Sequence, residues 1–261
     1  MKDQVIVITG ASAGIGAALA KLVAARGARP VLVARREKEL SEVAANCGPN
    51  AVVVQADVTR RADVDRVVAT TLERCGQLDV WVNNAGRGIT RPVSALTDED
   101  VDEMVLVNVK SALYGMQAVL PHFKQRGRGH IINVSSMLGR VPFAHFRSAY
   151  SASKHALNSL TANLRMELQA EYPGIQVSSV HPGVVATGFG LSALHGGVDS
   201  RKFPGAQSAE EVAEVIAGTI ESRRADVYTR PGAQQMVVAY YAHDDMGQAE
   251  REPPFNFTPP K

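Results

Sequence analysis

The residues that most often announce a function are scarce in this chain. Its 261 residues include only two cysteines, Cys47 and Cys75. That excludes a disulfide-built fold, and neither thiol stands in a metal-ligand spacing. Both read as free thiols of a reducing compartment, so a cytoplasmic location is expected. Neither sign of charge is in excess: 28 basic residues face 26 acidic ones. No run of like charge is long enough for a nucleic-acid arm, and no nucleic-acid partner is expected. Nor does any apolar run approach the ~20 residues that span a bilayer. The apolar run after Met1-Lys2-Asp3 covers only Val5 to Ile8 before Gly10 breaks it, too short for a signal-peptide core, so no targeting segment and no membrane partner is expected. His243-Asp244-Asp245 has no second ligand cluster to complete a site, and no metal is expected.

What is present is an ordinary soluble composition, 45% hydrophobic and 21% charged, in a chain long enough to bury a sizeable core. Val5-Ile6-Val7-Ile8 is a continuous β-branched run of the kind a strand covered on both faces needs. Similar strands are expected at Pro30 to Val33, Ala51 to Val54, Leu78 to Val82, His130 to Val134, Ile175 to Val180 and Asp226 to Thr229, with helical periodicity between them. Strands alternating with helices over short connections predict an α/β fold, a doubly wound parallel sheet of about seven strands with helices on both faces. No repeat or linker divides the chain, so residues 1–261 are expected to form one domain. The glycine-rich, aperiodic stretch 188–206 reads as a lid over a substrate. Residues 234–261 read as a C-terminal extension: Met236 to Ala242 is apolar enough to pack, and Pro253-Pro254 through Pro259-Pro260 reads as a non-helical tail.

Several stretches at strand ends carry chemistry. Thr9-Gly10-Ala11-Ser12-Ala13-Gly14-Ile15-Gly16 lies between the first strand and the first helix. Glycines there permit a tight turn and let backbone N–H groups approach a pyrophosphate at the helix N-terminus. The second strand ends in Ala34-Arg35-Arg36-Glu37. An acidic residue at this point would bind ribose hydroxyls, whereas arginine suits a 2′-phosphate; NADP is therefore favoured over NAD. Asp57, followed by Val58 at the end of the third strand, either accepts from an adenine amino group or caps the next helix. Asn83-Asn84-Ala85-Gly86 suits close backbone approach by a cofactor, its amides tying strands together. Thr97-Asp98-Glu99-Asp100 is a capping box opening a long helix, in whose middle Asn108 hints at a specific polar duty.

Tyr150-Ser151-Ala152-Ser153-Lys154 stands on a later helix. Residues i and i+4 share a helix face, and an ammonium beside a phenol is expected to lower its pKa, so that it gives or takes a proton at a carbonyl or alcohol. Ser135-Ser136, at the end of the preceding strand, lies where α/β folds place their ligands.

In this order the motifs resemble those of the short-chain dehydrogenase/reductase family: Thr9-Gly10-x-x-x-Gly14-x-Gly16, Asn83-Asn84-Ala85-Gly86, Asn108, Ser136, Tyr150-x-x-x-Lys154 and Pro182-Gly183. The resemblance covers roughly residues 4–231. It implies an NADP(H)-dependent oxidoreductase that interconverts a ketone or aldehyde and an alcohol. Tyr150 would be the acid/base, Ser136 would hold the substrate oxygen, Lys154 would contact the nicotinamide ribose and depress the Tyr150 pKa, and Asn108 would complete a water-linked proton path. Cofactor contacts would come from Gly10, Ser12, Gly14, Ile15 and Gly16 in the turn, from Arg35 and Arg36, and from Asp57 and Val58. Asn83, Ala85, Tyr150, Lys154, Gly183, Val185 and Thr187 would complete them. The interval from Ser136 to Tyr150 is a residue longer than in many relatives. Phe143, His145, Phe146, Phe189, Leu191 and Leu194 suggest a largely apolar pocket for a small carbonyl or alcohol substrate. A homodimer or homotetramer, paired through the helices of Tyr150 and Asn108, is expected. Epimerase or dehydratase chemistry, and a catalytically silent cofactor-binding sensor, are the alternatives; chain length weighs against the first and the complete Asn-Ser-Tyr-Lys set against the second.

Overall fold

A computed structural model describes residues 1–255; Pro259-Pro260, expected in a non-helical tail, lies outside them. Seven parallel strands form one sheet in the order β3-β2-β1-β4-β5-β6-β7: β1 Val5–Thr9, β2 Arg29–Ala34, β3 Val52–Gln55, β4 Val80–Asn83, β5 Gly129–Val134, β6 Ile175–His181 and β7 Asp226–Tyr228. The expected doubly wound sheet is present.

The continuous apolar strands are explained by burial on both faces. In β1, Ile6 and Ile8 face one core, with side chains of α1 (Gly14–Ala25), α2 (Glu37–Ala45) and α7 (Ala209–Ser222). Val5 and Val7, at the alternate positions, face a second core built from α3 (Arg61–Cys75), α5 (Ser111–Arg126) and α6 (Ser148–Leu168). Side chains alternate across a strand, so a strand sandwiched by helices needs an apolar residue at every position.

Between β4 and α5, the capping box at Thr97 opens α4 (Asp98–Val105) as expected. The helix beyond it is not regular. Leu106–Lys110 forms a π-helical turn before α5 begins, and Asn108 sits inside it. Widened turns of this kind are frequent at functional sites.

After β6, residues 188–206 carry only short turns, including a 3₁₀ turn at Ser200–Lys202. They are tied to the segment after β4: Leu194 N donates to Gly88 O at 2.9 Å and Thr90 N to Leu194 O at 3.0 Å. His195 Nε2 lies 2.6 Å from Asp100 Oδ1. Beyond β7, α8 (Ala233–Tyr241) and α9 (Met246–Ala249) pack Val237, Tyr240 and Ala249 against Met137 and Val141. Among the described residues no helix is long and apolar enough to cross a membrane, and no group of three acidic, histidine or cysteine side chains is placed to hold a metal.

Candidate active site

Strand order reverses between β1 and β4, and a crevice at the carboxyl ends of the strands is where such sheets place their ligands. A cleft of about 630 Å³ opens there. Its floor is tied by the Asn84 amide, whose Nδ2 donates to Thr9 O at 2.8 Å, while Thr9 Oγ1 accepts from the backbone N–H groups of Asn84 and Ala85 at 2.9 and 3.0 Å. Gly10 has φ +68°, and a Cβ on it would come within 2.9 Å of the Ala85 Cα. On Gly16 a Cβ would lie 2.5 Å from the Gly10 carbonyl oxygen. Only glycines let turn, helix and β4 approach this closely.

The first turn of α1 is electrically open. Its N-cap, Ala13, supplies no side-chain acceptor, and no acidic residue stands in its first turn. By contrast, α4 and α7 begin with complete capping boxes. The free N–H groups and positive dipole end of α1 therefore face the cleft without an internal partner. Beside them Arg36 donates through Nη2 to Ser12 Oγ at 2.9 Å and lies 3.4 Å from Glu39. The Arg35 side chain is exposed. Among the described residues, no aspartate or glutamate lines the cleft.

The opposite end of the cleft gathers Ser136, Tyr150 and Lys154. The start of α6 buries Tyr150, and Lys154 lies one turn on, its Nζ 5.7 Å from the centre of the phenol ring. That ammonium donates to Val134 O at 3.0 Å. Burial pulls the Lys154 pKa down to about 8. Contrary to the expectation from the Tyr-Lys spacing, the Tyr150 phenol is held above its ordinary pKa. Burial dominates, and hydrogen bonding by Ser136 followed by the charge of Arg147 works against it. The physical reason is desolvation: a buried phenol resists becoming an anion, and the Lys154 charge is turned toward the end of β5. Ser136, not Ser135, bears on Tyr150; the Ser135 hydroxyl is directed at Lys154 O, 3.4 Å away. Phe189 covers the phenol with ring centres 5.7 Å apart.

Thirteen of the expected residues line the cleft: Gly10, Ser12, Gly14, Ile15, Arg35, Arg36, Ala85, Ser136, Tyr150, Lys154, Gly183, Val185 and Thr187. Gly16, Asp57, Val58, Asn83 and Asn108 do not. Gly16 serves the close helix packing above. Asp57 Oδ1 accepts from both Thr59 N and Thr59 Oγ1, at 3.0 and 2.7 Å, a local turn ahead of α3, whose N-cap is Arg60, and Val58 packs against the second core. Asn83 is turned inward, accepting from Trp81 Nε1 at 2.7 Å and donating to Asn133 Oδ1 at 2.8 Å. Its neighbour Asn84 faces the cleft instead, as strand alternation dictates. Asn108 is buried behind Gly86, whose Cβ would meet Asn108 Oδ1 at 3.0 Å and Lys154 Nζ at 3.6 Å. It clamps Arg87 through both backbone groups and donates to Ser153 Oγ at 3.1 Å.

Of the six side chains expected to make an apolar pocket, only Phe189 lines the cleft. Phe143 stacks on Phe255 at 5.9 Å, drawn away by the C-terminal helices. His145 and Phe146 meet edge to face, and Leu194 packs in the cluster behind Tyr150. Among the cleft residues outside the expected set, Arg147, at the N-cap of α6, is the charged one. A basic residue three positions before the tyrosine, in an interval one residue longer than usual, was the available signal.

Residues 4–195 match the family model described as short chain dehydrogenase. The chain belongs to the short-chain dehydrogenase family. This dehydrogenase is 37% identical over 250 residues to the uncharacterized oxidoreductase YxnA of Bacillus subtilis, with 92% of this chain and 68% of the relative covered. Its fold is similar to that of a short chain dehydrogenase/reductase from Burkholderia phymatum solved in complex with NAD, with a TM-score of 0.86 at 25% identity over 100% of this chain and 98% of the other. It is also similar to an alcohol dehydrogenase from the archaeon Thermococcus sibiricus complexed with 5-hydroxy-NADP, with a TM-score of 0.76 at 28% identity over 87% and 96% of the two chains. The dehydrogenase is thus an oxidoreductase. A glycine-walled cradle, an uncapped helix N-terminus and a cleft free of carboxylates fit a dinucleotide phosphate group.

Proposed function

We propose that this dehydrogenase uses NADP(H) to interconvert a small ketone or aldehyde and the corresponding alcohol, with Tyr150 as the acid/base. The observation that carries the reading is the pairing, in one carboxylate-free cleft, of Tyr150, Ser136 and Lys154 at one end with Arg35, Arg36 and Ser12 at the other. The bound nicotinamide supplies or accepts the hydride. Everything else falls to the chain. Ser136 holds the substrate oxygen by hydrogen bond beside the phenol. In reduction Tyr150 Oη gives its proton to that oxygen, and in oxidation it takes the proton from the alcohol. A phenol held above its ordinary pKa stays protonated at neutral pH and stands ready as the acid; the oxidising direction needs the added positive charge of the oxidised cofactor to bring the pKa down. Asn108, locked in its π turn behind Lys154, keeps Gly86 and Arg87 in place under the site. Phe189, carried on residues 188–206, acts as the lid that keeps water from the phenol.

Arg35 and Arg36 favour NADP over NAD because a guanidinium pairs with a 2′-phosphate through charge-assisted hydrogen bonds. Apolar Val101 and Val105 on α4, with Met166 on α6, are exposed, and this favours pairing with a second copy. The test is titration with NADPH and NADH, followed by nicotinamide fluorescence, for the wild type and Arg35→Ala. Tight NADPH binding weakened in the variant is expected. A preference for NADH that the substitution leaves unchanged would sink the NADP assignment.

A further inference from the structure

We infer that the substrate of this dehydrogenase carries an anionic group, a carboxylate within a few bonds of the reacting carbonyl, and that Arg147 receives it. The inference deepens the carbonyl–alcohol reading and rests on it.

Arg147 lines the cleft at the Tyr150 end, one helical turn before the phenol. Its Nη1 donates to Ile89 O at 3.2 Å. A Cβ on Gly88 would come 3.1 Å from Arg147 Nη1 and 3.1 Å from Phe189 Cε1. Guanidinium and lid aromatic therefore meet over a glycine, and Phe189 in turn covers Tyr150. A substrate held against the phenol under Phe189 has this cation as its neighbour.

The guanidinium of Arg147 lies 5.8 Å from the centre of the Phe146 ring, but no charge among the described residues neutralises it. Two arginines of the adjoining segment are paired: Arg87 with Glu103 at 3.1 Å and Arg91 with Asp100 at 2.7 Å. Arg147 has no carboxylate partner among the described residues, and no acidic side chain lines the cleft. A guanidinium offers five donors in a planar fork that matches a carboxylate, and one carbonyl uses one of them. The group is half-buried, and desolvation pushes its pKa below the usual arginine value. A partly desolvated cation without a counter-ion is unfavourable, and a ligand anion in the cleft offsets that cost. Two lesser roles compete: holding the 88–91 segment through Ile89 O, and pulling down the Tyr150 pKa. Neither distinguishes a charged substrate from a neutral one.

The test compares 2-, 3- and 4-oxo acids with their methyl esters, using the full chain and NADPH. In the wild type, kcat/KM for at least one acid is expected to exceed that for its ester tenfold or more. Arg147→Gln should bring that ratio close to one, and Arg147→Lys should restore part of it. Equal use of acids and esters by the wild type overturns the inference without any variant. A ratio that Arg147→Gln leaves unchanged, with acid and ester slowed together, also overturns it and assigns Arg147 to loop anchoring or to tuning of Tyr150. If no probe is reduced, the NADPH-loaded wild type is titrated with the same acids and esters; acids that bind no more tightly than esters overturn the inference. Failure of the wild type to bind NADPH is a separate result and counts against the cofactor reading.

Discussion

The two ends of the cleft carry the same kind of charge in opposite settings. Arg35 and Arg36 are exposed at the end of β2, with Arg36 steadied by Ser12 and Glu39. Arg147 and Lys154 are drawn into the protein around Tyr150. An exposed cation keeps its hydration and costs the fold little, and its gain on meeting a phosphate is correspondingly moderate and salt-sensitive. A buried cation is paid for by the rest of the structure. In return its charge acts at short range on a fixed target through a medium less polarisable than water. On the proposed reading, the outer pair selects the cofactor and the inner pair governs chemistry and substrate.

The sharpest way to break this division of labour is Tyr150→Phe. Carbonyl reduction should fall by about 10²–10⁴-fold, the range for losing a positioned acid, while NADPH titration stays as in the wild type. Turnover that survives the substitution would remove Tyr150 from the chemistry. Next in size is the outer pair: Arg35→Ala with Arg36→Ala should weaken NADPH by about 10–100-fold, as expected for losing charged hydrogen bonds of about 1.5–3 kcal/mol, and barely change NADH. Equal losses for both cofactors would mean that the pair serves the fold.

The inner end has a stability signature. Lys154 has its pKa lowered from 10.5 to about 8 by burial, so the native state is penalised wherever the lysine is charged. The penalty is complete below pH 8, shrinks between pH 8 and 10.5 as the native lysine loses its proton first, and is absent above. Lys154→Met should therefore stabilise the protein at pH 7 by about 1–3 kcal/mol, an advantage that fades by pH 10.5, while activity is lost. Thermal melts across that pH range read it directly, and a variant less stable than wild type at pH 7 would show that the bond to Val134 O outweighs desolvation. The smallest effect concerns the tie between residues 188–206 and α4. Hydrogen bonding from His195, the Thr97 backbone N–H and Arg91 hold the Asp100 carboxyl down to about 2. A depressed carboxyl contributes stability above its unfolded pKa and loses it as pH falls toward 2. Asp100→Asn should flatten that part of the acid-unfolding curve, and superimposable curves would leave the tie without energetic weight.

Much of this architecture is local in origin. Val5 to Ile8 is a β-branched run of the kind a strand covered on both faces needs. Thr97 with Asp100 and Ser208 with Glu211 close their capping boxes where the residues occur, and Gly10 adopts the positive φ that its turn requires. Tyr150 and Lys154 share a helix face by spacing alone. These features depend on contacts a few residues apart, and residue identity suffices to predict them.

The remaining features depend on separations of tens of residues. Which of two adjacent asparagines faces the cleft follows from the inward packing of Asn83 against Trp81 and Asn133. Phe143 leaves the substrate end because Phe255, more than a hundred positions later, stacks on it. The Tyr150 pKa moves up because the assembled fold excludes water from the phenol, an effect no spacing encodes, and Lys154 spends its proton donor on the end of β5. Arg147 gains its meaning only when Gly88, Phe189 and the absence of acidic side chains converge around it. Periodicity, caps and glycine turns were written in the chain; desolvation and the company each charge keeps arose when distant segments packed together.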